Sequence, residues 1–307
     1  MTVEMKRLGE GFGVYFVDIL SQCLHIRSMS GGALEDLQRG SLQVYLSCLA
    51  RVIGQLLCFS TTSSTSFSWR LPRALYLLEE KTKTLSSSTG EEEKKVVWLP
   101  MKVLDDLSIC EQRAVLRAET QLSAKPTVQQ ELGKEWWSKK RKKYSELVKS
   151  VLSNNSRVLD VWLEHPVGLA YEGQDMQINL SGLVDMFVFY PVKCGGGYIP
   201  LVLLFEFTLH KEIVHIVNRV VTYASSVYTR YGFLTAPVIT VMRSPDEDFV
   251  EKIVLLVNTD RLGISKIYAK VKHLEELLAR KARPRHASRE VCLWCDTELR
   301  RRCEYHL

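Results

Sequence analysis

The chain has 307 residues, 46% of them apolar and 25% charged, which excludes a disordered or low-complexity polymer and is the balance of a soluble globular protein. Its net charge of +6 suits an anionic partner such as nucleic acid without requiring one. The excess is uneven: Ser138–Lys143 reads SKKRKK and Leu299–Arg302 reads LRRR.

The start, MTVEMKRLGEGFG, lacks the charged cap and apolar core of a secretory signal. The stretch SLQVYLSCLARVIGQLLCF (41–59) carries Arg51 near its centre, with Gln43 and Gln55. Burying that Arg in a bilayer costs several kcal/mol, so an amphipathic helix is expected and no membrane partner. A Ser/Thr tract (60–68), a short helix in LPRALYLLEEK and a polar linker, SSSTGEEEKK, follow. Residues 1–97 read as a poorly defined extension without a catalytic pattern, and Met101 offers an alternative start.

From residue 98 the pattern tightens. LPMKVLDDLSICEQRAVLRAET has helical apolar spacing at Val103, Leu104, Leu107, Val115 and Leu116. QQELGKEWWSKKRKKYSELVKSVLS is a second helix, with Trp136, Trp137, Tyr144, Leu147, Val148 and Val151 on its apolar side. A β-rich region follows, with a turn at Gly173-Gln174-Asp175, then apolar strands over 183–190 and 200–209 around CGGGY. Residues 211–232 form a helix that Gly232 ends. APVITVMRS and KIVLLVN are strands, and DRLGISKIYAKVKHLEELLARKA is a closing helix. This order of elements predicts a mixed α/β core over 98–307.

Side chains alternate along a strand, so Glu206, Thr208 and His210 share one face and Phe205, Phe207 and Leu209 the other. Asp185 lies in the preceding strand. Two ionised carboxylates in apolar strands are costly to bury unless a cation joins them, and Mg²⁺ and Mn²⁺ favour carboxylate oxygen. The plain alternative is that each carboxylate faces solvent or pairs with an Arg.

Eight cysteines occur, and the tail VCLWCDTELRRRCEYHL holds Cys292, Cys295 and Cys303. With no export signal a reducing, cytoplasmic compartment is expected, where clustered cysteines point to metal binding. Cys110 is the candidate fourth ligand, and His306 a local alternative. Zn²⁺ and an iron–sulfur cluster both suit four thiolates. Cys23, Cys48, Cys58 and Cys194 read as ordinary thiols.

Taken together, residues 100–307 resemble the CRISPR-associated RecB-like exonucleases that carry an iron–sulfur cluster (the fourth Cas family). Cys110, then Cys292, Cys295 and Cys303, match that family's order of one early and three late cysteines. Gly182-Leu183-Val184-Asp185 matches its G-x-x-D strand motif. Glu206-Phe207-Thr208 matches E-x-K in part, and Arg219 to Tyr223 matches Q-x-x-x-Y in part. The resemblance implies a restriction-endonuclease-like core whose ends are tied by a four-cysteine 4Fe-4S site. It also implies a Mn²⁺ or Mg²⁺ ion on Asp185 and Glu206. Single-stranded DNA ends are then the substrate, in spacer acquisition and antiviral defence, beside spacer-integration proteins.

Thr208 and Arg219 stand where that family has Lys and Gln, and Trp136 and Trp137 follow Gly133 where it has a ligand His. Arg219 is then the candidate replacement charge and His210 the candidate replacement ligand. His215, Arg219 and Tyr223 share one helix face at i, i+4 spacing. The other implied reading is a DNA-binding or adaptor subunit with a decayed site. A third is a zinc-stabilised protein unrelated to DNA. The basic tract offers phosphate contacts, with a solvated helix face as the alternative. Trp136, Trp137, Tyr228 and Tyr231 offer stacking surfaces, with core packing as the alternative.

Overall fold

The computed structural model describes residues 5–7, 15–18, 42–60, 94–120, 128–153, 160–194, 197–209, 213–243, 249–257, 261–288, 292, 295 and 297–303. Strand β1 (Met5–Arg7) and β2 (Tyr15–Asp18) precede helix α1 (Leu42–Ser60). Then come β3 (Lys95–Pro100), α2 (Val103–Ile109), α3 (Glu111–Thr120) and α4 (Val128–Ser153). The long strands β4 (Asp160–Glu172), β5 (Met176–Cys194) and β6 (Gly197–Thr208) follow. Next are α5 (Val214–Tyr231), β7 (Leu234–Met242), β8 (Val250–Val257), α6 (Arg261–Leu278) and α7 (Thr297–Arg302).

The strands form one mixed sheet in the order β1-β2-β8-β7-β6-β5-β3, with β4 on the other edge of β5. The expected α/β class with helices on the faces of a mixed sheet is what forms. One face packs on α2, α3, α5 and α6, through Leu104, Val115, Val220, Ala224, Ile267 and Val271. The other packs on α1 and α4, through Leu46, Leu49, Tyr144 and Val148. Both faces are covered, so the central strands read as unbroken apolar runs.

Helix α1 is the expected amphipathic helix: Leu42, Tyr45, Leu46, Leu49, Val52 and Ile53 are buried and Arg51 is exposed. Among the described residues no helix is long and apolar enough to cross a membrane. The compositional division at 97/98 falls inside β3, which pairs with β5 from Lys95. Cys48, read as a plain thiol, is disulfide-bonded. The short helix expected in LPRALYLLEEK lies outside the described residues.

The single helix expected over 103–120 is two. Cys110 takes an extended conformation, φ −157° and ψ 112°, between α2 and α3, and its N–H still reaches the Asp106 carbonyl. Helical spacing on both sides hid the break. Helix α5 ends as expected, with Gly232 left-handed at φ +70° and its N–H donating to the Tyr228 carbonyl.

A fork in the sheet positions everything that follows. Strand β3 runs parallel to the first part of β5, and its pairing ends at Pro100 opposite Ser181. Strand β6 runs antiparallel to the last part of β5, and its pairing ends at Phe205 opposite Met186. The carboxyl ends of β3 and β6 therefore meet head to head beside residues 182–185. Such switch points at strand carboxyl ends are where α/β sheets place ligand sites.

Both β4 and β5 change face at this fork. In β4, Val161 lies in the α1/α4 core, whereas Val167 and Leu169 lie in the other. In β5, Leu180 and Val184 lie in the α5 core, whereas Met186 and Val188 lie in the α1/α4 core. Residues two or six apart should share a face in an extended strand. The alternation inverts at Glu164, which is left-handed at φ +51°, opposite Asp185. That conformation costs a non-glycine residue about 1–2 kcal/mol, and such strain collects at functional sites.

Candidate active site

Asp185 sits at the fork, where β5 has left β3 and not yet met β6. Its carboxylate Oδ2 accepts the Phe207 backbone N–H at 2.8 Å. The side chain thus stands in for the next rung of the β5–β6 ladder and is held toward the end of β6. Glu206 is one residue back on β6. Its neighbours Phe205 and Phe207 point into the α1/α4 core, so Glu206 points to the α5 side, as alternation predicts.

Helix α5 closes the site from above. The Arg219 guanidinium forms an ion pair with Glu206 Oε1. Tyr223, one turn on, packs its ring against Gly182. A Cβ built on Gly182 meets Tyr223 Cε1 at 2.6 Å, so only glycine lets the ring settle onto the strand. The matched G-x-x-D motif and the partly matched R-x-x-x-Y motif are therefore in physical contact. Thr208 is buried at the end of the same strand. His210 lies outside the described residues, as does the side chain of His215.

Helix α2 adds a residue that sequence reasoning missed. The chain leaves β3, Met101 N–H donates to the Ser181 carbonyl at 2.8 Å, and α2 begins at the fork. All of Val103 to Leu107 is buried, the adjacent pair Asp105 and Asp106 included. Asp106 is satisfied by Arg117 and by Arg113 at 2.8 Å. Asp105 lies within electrostatic reach of Arg219 and Tyr223, and its Oδ1 has no hydrogen-bond partner. The available signal was two adjacent carboxylates in an otherwise apolar helical turn, VLDDL.

Three carboxylates thus face one guanidinium. Asp105 and Glu206 are each 7% exposed, and Glu206 Oε2 also lacks a partner. Burial pushes the Asp105 carboxyl up to about 7, against the pull of Arg219. Burial, then the neighbouring Glu206, raises Asp185 well above the usual carboxylate range. Burial raises Glu206 as well, against Arg219. Burial and then Glu206 raise the Tyr223 phenol, so its hydroxyl stays neutral and able to donate. Lys270 borders the cluster, held by Asn218 Oδ1 at 2.9 Å and Ser108 Oγ at 3.0 Å. Among the described residues, no three His, Cys, Asp or Glu side chains are already arranged around a single metal position.

At the far end of α2, Cys110, Cys292, Cys295 and Cys303 line one cavity together with Arg113, Leu116 and Arg300. All four are free thiols. Burial raises the Cys295 thiol, Arg113 opposes this, and the other three cysteines add to it. The early cysteine and the three late ones, 182 residues apart at the nearest by number (292 − 110), are brought together. Four thiols around one cavity fit the donor set of an iron–sulfur cluster or of zinc.

On α4 the basic tract faces outward: Lys139, Lys142 and Lys143 are exposed. Lys139 pairs with Glu135 at 2.6 Å, and Arg141 pairs with the left-handed Glu164 at 2.5 Å. Trp136 and Trp137 are buried core residues, and Trp137 stacks on Phe207 with ring centroids 5.0 Å apart. Tyr231 is packed against the α5 core with Arg230 over its ring.

The chain is similar to the crystal structure of SSO0001 at a TM-score of 0.38 and 13% identity, over 78% of this chain and 100% of that chain. Likeness at that level carries no function across. No family model matches the chain, and no curated protein does.

Proposed function

We propose that the chain is a divalent-metal-dependent DNA nuclease with a restriction-endonuclease-like core, of the RecB-like type that carries an iron–sulfur cluster. Single-stranded DNA ends are its substrate. The observation that carries this reading is the convergence at the sheet fork of Asp185, half-buried and held by the Phe207 N–H, with Glu206, buried and with one carboxylate oxygen lacking a partner. One guanidinium offsets only one of two neighbouring carboxylates, and a hard cation relieves the remaining cost.

Asp185 and Glu206 would hold the ion, Asp185 fixed by the Phe207 N–H. Bound there, a Mg²⁺ or Mn²⁺ ion lowers the pKa of water and polarises a phosphoryl oxygen. Arg219 supplies the fixed positive charge that Thr208 lacks, aimed at the charge that develops on a phosphate. Tyr223 is a neutral hydrogen-bond donor beside it. Cys110, Cys292, Cys295 and Cys303 would hold the cluster, which would tie α2 to α7. The exposed lysines of α4 supply phosphate contacts.

One observation favours the adaptor reading instead. The Arg219–Glu206 ion pair neutralises the very carboxylate a metal needs. End-labelled single-stranded DNA with Mn²⁺ separates the two. Degradation by the wild type and its loss in Asp185→Ala are expected. Equal behaviour of the two proteins, with or without degradation, overturns the catalytic reading.

A further inference from the structure

The fork contains one buried acidic side chain that neither the motif order nor the proposed mechanism uses. Asp105 reaches it from α2 and lies within electrostatic reach of Arg219, as Asp185 and Glu206 do. A structural carboxylate at such depth is normally satisfied by hydrogen bonds or by a dedicated cation. Its neighbour shows that arrangement: Asp106 is claimed by Arg113 and Arg117. Asp105 is as deep as Glu206, and its Oδ1 has no partner. Glu206 Oε2 is orphaned in the same way, although Oε1 is bound by Arg219. Arg219 itself has one nitrogen, Nε, without a partner. One guanidinium is therefore shared among three carboxylates and completes the bonding of none.

We propose that Asp105 is the third carboxylate ligand of a divalent cation at the fork, and that Arg219 is the resident counter-cation this ion displaces from Glu206. The inference rests on the nuclease reading only in that both need an ion bound by Asp185. In the metal-free state, Arg219 holds Glu206. On binding, the ion takes the orphaned oxygens of Asp105 and Glu206 together with Asp185, and the guanidinium turns to the open side of the site, where a phosphate would lie. An all-oxygen donor set of this kind selects Mg²⁺ or Mn²⁺ over softer metals.

The test is Mn²⁺ binding to the full chain purified anaerobically, read from the loss of the free aquo-ion signal in electron paramagnetic resonance and, separately, from the Mn²⁺-induced rise in melting temperature. Asp105→Asn is expected to weaken binding at least about tenfold, since even outer-shell partners cost ~10–100-fold. Asp185→Asn is expected to abolish binding, and Arg219→Gln to tighten it. Asparagine keeps the volume of Asp105 and removes a charge without a hydrogen bond at Oδ1, and Asp105→Ser gives a second, smaller variant. Wild-type affinity in both Asp105 variants, with loss in Asp185→Asn, overturns the proposal and leaves the nuclease reading standing. Wild-type affinity in Asp185→Asn removes the fork as a cation site, and both fall. Unchanged affinity in Arg219→Gln overturns the displacement.

Discussion

Arg219→Gln is the most informative perturbation of the fold itself. Glu206 is buried and its carboxyl is already raised by that burial, with Arg219 pulling the other way. Removing the guanidinium raises it further and leaves Asp185 beside it uncompensated. Breaking a buried pair by removing one partner costs about 3–5 kcal/mol. The Arg219 side chain is 26% exposed, so water screens part of this, and about 2–3 kcal/mol is the expected loss at pH 8. The sign with pH follows from the direction of the shift. A carboxyl raised in the folded state holds its proton there, so its penalty starts once the pH passes the unfolded value of 4.5. The penalty then grows by about 1.4 kcal/mol per pH unit until the folded value is reached. The variant should therefore match the wild type closely near pH 5 and fall behind it toward pH 8. Urea unfolding at the two pH values, with a common m-value, reads the difference directly. Mn²⁺ at about a hundred times its dissociation constant should return roughly 2.7 kcal/mol. Equal destabilisation at both pH values would refute the reasoning, because the loss would then be packing and not charge.

Asp105→Asn should move stability the other way in the absence of metal. The Asp105 carboxyl is lifted from 3.8 to about 7, so wild-type stability declines as the pH rises between those values. The substitution removes that decline and should stabilise by up to about 4 kcal/mol at pH 8 and by almost nothing near pH 4. Unfolding curves at both pH values check it, and destabilisation at pH 8 refutes it. Gly182→Ala places a methyl 2.6 Å from the Tyr223 ring. Overpacking of this kind costs about 1–3 kcal/mol, and Tyr223→Leu should recover much of it in a double-mutant cycle. Cys110→Ser should lower bound iron and the broad visible absorbance of a cluster. A colourless wild type with stoichiometric zinc would instead assign the cavity to zinc.

What could be read from the chain follows from the range of each signal. Alternation along β6 placed Glu206 opposite Phe205 and Phe207 correctly, because alternation is a property of a few neighbouring residues. Arg219 and Tyr223 share a helix face for the same reason. Arg51 near the centre of the stretch 41–59 distinguished an amphipathic helix from a membrane span, because one charge is enough to set that cost. Asp105 was missed because its meaning depends on where α2 starts, and that is set by the meeting of β3 and β6 beside β5. The break at Cys110 was missed because apolar spacing continues through it in phase. Face inversion at Glu164 leaves no compositional mark: the residue is neither Gly nor Asn, and its conformation is held by the two strands' opposite packing.

Helix α2 is where the two candidate centres meet. Within six residues it carries Asp105 to the fork, Asp106 to Arg113 and Arg117, and ends at Cys110 in the thiol cavity. Arg113 touches both sides, pairing with Asp106 and lining the cavity. The Cys110 N–H is hydrogen-bonded to the Asp106 carbonyl at 2.7 Å, so the cysteine cannot move without pulling on the turn that holds Asp105. A seven-residue helix is too short to be stable by itself. Its position is set by what anchors its two ends: the Met101 hydrogen bond to Ser181 at the fork, and Cys110 at the cavity. A group bound by the four thiols would therefore fix one end of the lever that presents Asp105. The cysteine centre and the acidic site are in this sense one construction, and the placement of Cys110 at the break between α2 and α3 is what joins them.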